Sequence, residues 1–204
     1  MNNKFIVIEG SEGVGKSTQI KTIEKYLLSN NIDYVLTREP GGTSFGESIR
    51  SIILDKANGT HELTDSLLFY AARYENYRKI INPALEAGKT VICDRFHYST
   101  LIYQGIVGKN SIVRDLHKIF DPIFSQKIDH VLYLVASPEV SLQRILRRKK
   151  TDKFESRGLE YLKELDVAYK STFSDMRNVT TIDTSGEKNV TENNLLLSLD
   201  KIFI

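Results

Sequence analysis

The chain has 204 residues, 41% hydrophobic and 26% charged, with one cysteine and 28 basic against 26 acidic residues. That balance suits one soluble globular domain over residues 1–204 and excludes a disulfide scaffold, a collagen-like fibre and a mostly disordered chain. A net charge of only +2 also argues against a surface that is basic all over and coats nucleic acid.

The first apolar run, Phe5-Ile6-Val7-Ile8, is β-branched, ends at Gly10 and predicts a buried strand. It is too short for a signal-peptide core of about 7–15 residues. Nothing in the chain approaches the roughly 18 apolar residues of a membrane span. With Cys93 alone in the sequence, the expectation is a reducing, cytoplasmic compartment and no membrane partner. Ile20, Ile23 and Leu27 recur at helical spacing up to Asn30-Asn31. Residues 33–37, 90–93 and 130–135 predict three further strands, and 179–183 a weaker fifth. Between them, Thr64 is the expected N-cap of a helix running through Tyr74. Helical patterns also fit 137–150, 159–176 and 191–203. Apolar strands joined by helices imply an α/β fold with a parallel sheet covered on both faces.

Between the first strand and the first helix lies Gly10-Ser11-Glu12-Gly13-Val14-Gly15-Lys16-Ser17. It matches the phosphate-loop pattern and has the strand-loop-helix setting that pattern requires. The glycines let the backbone curl so that N–H groups point inward at phosphate, and the helix start adds its positive end. Lys16 can reach the β- and γ-phosphates, and the Ser17 hydroxyl can ligate Mg²⁺. The nucleotide-contacting stretch extends from Gly10 to Thr18. A guanine-specific Asn-Lys-x-Asp string is absent from the sequence. With the small size, that favours a kinase over a switch GTPase or a motor ATPase.

Four further segments carry a family resemblance. They are Thr37-Arg38-Glu39-Pro40-Gly41-Gly42-Thr43; Leu68-Phe69-Tyr70-Ala71-Ala72-Arg73; Asp94-Arg95-Phe96 with Tyr103-Gln104-Gly105; and the basic stretch 144–155. Their order and spacing resemble thymidylate kinases of the bacterial type over nearly the whole chain. The resemblance implies a P-loop NTPase fold with a five-stranded parallel sheet and a basic lid over about 144–156. It implies transfer from ATP to dTMP with Mg²⁺ in a homodimer.

It also implies residue roles. Phe69 stacks on the pyrimidine and Arg73, four residues on and on the same helix face, donates to its O4. Read alone, Phe69 could be core and Arg73 part of a solvated face. Glu12 stands near the acceptor's 3′-hydroxyl, Tyr103 crowds the sugar 2′ carbon, and Thr100 and Gln104 approach the base. Arg38 and Glu39 shape the acceptor pocket, and Arg50 joins Arg95 in gripping the acceptor's phosphate. Arginines suit that task because their contacts are bidentate and always charged, and Arg95 follows the third strand, at the end where such sheets bind ligands. Asp94 supports Mg²⁺ through water, or else forms a buried pair with Arg95. Asp183 belongs to the segment that meets the donor adenine.

Residues 144–150 hold five basic residues and no acid, so the rest of the chain has 23 basic against 26 acidic residues, a net of −3. The stretch could be a solvated helix end, a nucleic-acid patch or a lid; the absence of interleaved aromatics disfavours the nucleic-acid patch, so no nucleic-acid partner is expected. As a lid it would bring Arg144 to ATP and Arg148 or Lys153 to the transferred phosphoryl group. Two positions depart from the family pattern. Lys153 stands where an arginine is usual, which leaves Arg147 or Arg148 as substitutes, and Val135 stands where an acid is usual. Gly13 holds a position where other members place a catalytic arginine.

Overall fold

The computed structural model describes residues 3–148 and 151–203. Five parallel strands form one sheet among the described residues: β1 (Phe5–Glu9), β2 (Tyr34–Arg38), β3 (Thr90–Asp94), β4 (His130–Val135) and β5 (Val179–Asp183), in the order β2-β3-β1-β4-β5. The expected strands are all present, within a residue or two at their ends. β1 is buried throughout and lies between β3 and β4, with Ile8 opposite Asp94 and Glu9 opposite Tyr133.

Side chains alternate across a strand, so β1 feeds two cores. Phe5 and Val7 join α2 (Ser44–Leu54), α3 (Glu62–Asn76) and α8 (Gly158–Phe173) on one face. Ile6 and Ile8 join α1 (Lys16–Ser29) and α9 (Lys188–Phe203) on the other. Glu9 ends this apolar strand fully buried, and that charge placement marks where the chemistry sits.

Several helix ends differ from expectation. α3 starts at Glu62, and the His61 ring rather than Thr64 caps it, accepting from the Leu63 N–H at 3.2 Å. Thr64 then falls inside the first turn, beside Glu62 and Asp65, two acids favoured at the positive end of a helix. The helix expected over 137–150 is α7 (Pro138–Leu146), started by the Ser137 hydroxyl accepting from Val140 N–H at 3.2 Å. Lys149 and Lys150, part of the expected lid, lie outside the described residues.

Four helices, α2, α4 (Asn82–Glu86), α5 (His97–Thr100) and α6 (Ser111–Phe124), lie outside the helical patterns expected from the sequence. The last is announced by Asn110, whose side chain accepts from Ile112 and Val113 N–H groups. No helix among the described residues is long and apolar enough to cross a membrane.

Candidate active site

The phosphate loop leaves β1 and enters α1. Gly13 adopts φ +77°, and a Cβ there would lie 2.4 Å from the Ser141 carbonyl oxygen. An arginine at this position is therefore barred by backbone as well as by sequence. Lys16 Nζ donates to the Gly10 and Ser11 carbonyls, both at 2.9 Å, so it closes the loop on itself. Burial, reinforced by nearby Arg95, lowers its pKa to about 8. Val14 packs into the core below the loop, while Ser17 and Thr18 are exposed at the start of α1.

The turn after β3 is equally specific. Arg95 takes a left-handed φ of 66°, a conformation unusual for a residue with a side chain, while its N–H donates to Ile8 at 2.9 Å. The guanidinium donates to Glu12 at 2.8 Å, to the Tyr169 hydroxyl at 3.0 Å and to the Ser99 hydroxyl at 3.2 Å. The alternative of an Asp94–Arg95 pair is not what forms. Tyr103, whose pKa burial raises well above the ordinary value, points its hydroxyl at both Glu12 carboxylate oxygens, 2.7 Å from each. Behind them buried Glu9 accepts from the Tyr169 hydroxyl at 3.0 Å, the Ser99 hydroxyl at 2.7 Å and the Phe96 N–H at 3.0 Å.

Next to this network opens a cavity of about 450 Å³, part of it open to solvent. Phe69, Arg73, Thr100, Gln104, Glu39, Tyr103, Arg95 and Glu12 all line it. Eight expected residues from four separated segments thus meet in one space. Arg73 is buried rather than on a solvated face: it is 1% exposed and donates to Glu39 at 2.6 Å, Thr100 at 3.1 Å and the Phe96 carbonyl at 2.9 Å. Glu39 is pushed up to about 7 by burial, against the pull of Arg73. Arg50 is half-buried and donates to the Pro40 carbonyl at 2.9 Å. Arg38 turns away from this cavity to pair with exposed Glu47 at 2.9 Å. It lines a different depression, beside Asp94.

Asp94 Oδ1 is buried and has no hydrogen-bond partner. A buried carboxylate oxygen left unpaired is costly, and a hydrated cation near Ser17 would satisfy it. The oxygen-only donors of Ser17 and Asp94 suit Mg²⁺.

A second cleft lies over the outer side of the phosphate loop. Gly13, Gly15, Thr18, Arg144, Arg148, Thr184 and Lys188 are among the residues that line it. Arg144 bridges the loop and the end of β5, donating to the Thr184 carbonyl at 2.6 Å and the Gly13 carbonyl at 3.4 Å. The Asp183 side chain instead accepts from the Ser185 N–H at 2.7 Å, and it is Thr184 that faces the cleft. Val135 lies opposite Asp183, and its carbonyl accepts from Thr184 N–H at 2.8 Å.

The lid cations divide. Arg148 reaches the second cleft and pairs with Glu155, while Arg147 is exposed. Lys153 is held elsewhere: its ammonium sits 2.7 Å from buried Asp65 and 3.2 Å from the Thr60 hydroxyl. That anchor lays Phe154 over the first cavity, 5.8 Å from the Tyr103 ring and 6.4 Å from Phe69. No motif in the sequence gives a role to Glu9, Tyr169, Asp65, Phe154 or Lys188. Only Glu9 carries a local signal, an acid closing an apolar strand beside Gly10. Tyr169 meets it from 160 residues away.

A family model described as Thymidylate kinase matches residues 8–195. The chain is 39% identical over 191 residues to a thymidylate kinase of Caldicellulosiruptor saccharolyticus, covering 91% of this chain and 90% of the relative. It is 37% identical over 206 residues to thymidylate kinases of Francisella tularensis subsp. holarctica and subsp. novicida, covering 100% of this chain and 98% of each relative.

Proposed function

The chain belongs to the thymidylate kinase family, and from that premise we propose that it passes the γ-phosphoryl group of ATP to the phosphate of dTMP, giving ADP and dTDP. One observation carries the reading: a single cavity joins the phosphate loop, through Glu12 and Arg95, to an aromatic and arginine pair, Phe69 and Arg73. Such a space fits a pyrimidine nucleotide whose phosphate must lie beside a triphosphate.

A phosphate oxygen of dTMP attacks the γ-phosphorus as the bond to the β-bridging oxygen breaks. The attacking oxygen is already ionised, so no strong general base is required, and the protein acts by positioning and charge neutralisation. Lys16 leaves the Gly10 and Ser11 carbonyls to meet the β- and γ-phosphates. Arg95 and Arg50 hold the acceptor's phosphate in line. Phe69 stacks on thymine while Arg73, Thr100 and Gln104 meet its polar edge. Tyr103 and Glu12 face the sugar, where a ribose 2′-hydroxyl would crowd the phenol. Arg144 and Thr184 bound the adenine and triphosphate cleft, with Arg148 as the lid cation on that side. Ser17, with Asp94 through water, would hold Mg²⁺, which when bound neutralises phosphate charge.

We read the active form as a cytoplasmic homodimer. Phe45 and Ile52 on α2, Leu67 and Tyr74 on α3, and Ile112, Ile119 and Ile123 on α6 are large apolar side chains left exposed on neighbouring helices. Light scattering that returns a monomer at assay concentration would remove that reading. For the reaction, the test is ADP release with ATP and Mg²⁺ against dTMP, dUMP, thymidine, AMP and GMP in turn. dTMP should give the highest kcat/KM. Turnover that prefers thymidine or a purine monophosphate would overturn the assignment.

A further inference from the structure

Away from both clefts, α5 and α6 bring together His97, His117 and Asp121. The two imidazoles stack with centroids 3.8 Å apart. His97 is 0% exposed, and neither of its ring nitrogens has a hydrogen-bond partner. His117 Nδ1 is likewise buried and unpaired. Buried polar atoms are almost always paired, and the unpaired His97 Nε2 is the one that faces Asp121 beside His117 Nε2, where an ion would give it a partner. Core stacking accounts for the rings but not for the nitrogens.

We propose that His97, His117 and Asp121 form a binding site for a divalent transition metal ion of the zinc class, separate from the Mg²⁺ position at the phosphate loop. Asp121 Oδ1 lies 3.5 Å from His97 Nε2 and 3.8 Å from His117 Nε2. Ligands at zinc bond lengths stand about 3.4 Å apart along a tetrahedral edge. One ligand atom from each residue falls within 4.8 Å of the others. His117 and Asp121 are one helical turn apart on α6, and His97 faces them from α5, so the ion would pin the two helices together.

Burial keeps both rings in the neutral form that ligates metal, with His117 lowered to about 4. Asp121 is 46% exposed at the rim and gives the ion its way in, with water completing the coordination. Binding requires the rings to turn out of their near-parallel stack so that their lone pairs converge. Imidazole and carboxylate together favour Zn²⁺ or Co²⁺ over Mg²⁺, which prefers oxygen ligands throughout.

The test uses the full chain, nucleotide-free and chelator-treated, titrated with ZnCl₂ or CoCl₂. One equivalent of Zn²⁺ should bind, an excess of Mg²⁺ should not displace it, and Co²⁺ should give the strong visible bands of a four-coordinate ion. Free Zn²⁺ at 100 times Kd should raise Tm by roughly 5–10 °C. His117→Gln and Asp121→Asn should each weaken Zn²⁺ binding at least about tenfold. Wild-type affinity in both variants overturns the proposal. Should the variants fail to fold, zinc X-ray absorption of the wild-type complex decides: imidazole scattering supports the site. A spectrum without imidazole, or with a sulfur ligand from Cys93, overturns it.

Discussion

The proposed acceptor pocket and the proposed donor cleft share the phosphate loop but differ in how they are made. On the acceptor side nearly every functional group is buried and already paired: Arg73 with Glu39, Arg95 with Glu12, Tyr169 with Glu9. On the donor side the contacts are loop backbone, exposed Ser17 and Thr18, and arginines anchored to carbonyls or, for Arg148, to Glu155. A base is told from other bases by its edge, which needs donors and acceptors fixed beforehand. A triphosphate is held by charge and backbone N–H groups, which need little side-chain pre-arrangement. On the proposed reading, selectivity in this chain therefore sits where the polar groups are most deeply buried, and the same burial makes that side the more sensitive to substitution.

Substitutions should separate the two sides. Arg73→Met carries the largest expected effect. It leaves Glu39 buried without its cation, which costs about 3–5 kcal/mol and lowers Tm by roughly 10 °C. Calorimetry showing an unchanged Tm would mean the pair is not structurally important. Lys16→Ala should do the reverse, with kcat falling about 10²–10³-fold and acceptor affinity unchanged, as read by calorimetric titration with dTMP.

The lid offers a finer contrast. Arg148→Ala should lower kcat by about tenfold or more with the dTMP KM unchanged, since it removes charge from the transferring group. Lys153→Ala should raise the dTMP KM with little change in kcat, because it frees Phe154 from its place over the pocket. Steady-state kinetics showing the opposite pattern would make Lys153 the lid cation. The smallest expected effect is on pH. Lys16 has its pKa lowered to about 8, so its charge is lost as pH rises through that value. The kcat/KM for ATP should then fall about tenfold between pH 7 and pH 9. A flat profile there would show that Lys16 stays charged in the free enzyme.

How far the site could be read from sequence depended on the range of each contact. The phosphate loop is local: glycine spacing, strand before and helix after are all visible within Phe5–Glu9 and the residues that follow. Phe69 and Arg73 were legible as a helical pair, but the pattern could not tell a solvated arginine from a buried one. The answer lies with Glu39, Thr100 and Phe96, which arrive from the turns after β2 and β3 and from α5. Lys153 shows the same limit in the other direction. Its place in the basic stretch pointed to phosphate, yet Asp65, 88 residues earlier, holds its ammonium. The His97 and His117 stack left no trace in the spacing of the four histidines, because one lies on α5 and the other on α6.

By itself the sequence determined where the five strands lie along the chain, the phosphate loop and the family, since these rest on short-range periodicity and on motifs whose residues are neighbours. The tertiary structure alone decided which charges are paired. A guanidinium or an ammonium has the same sequence signature whether it faces water, a phosphate or a carboxylate. Only the packing of distant segments sets the partner, and with it the division of labour between a buried acceptor side and an open donor side.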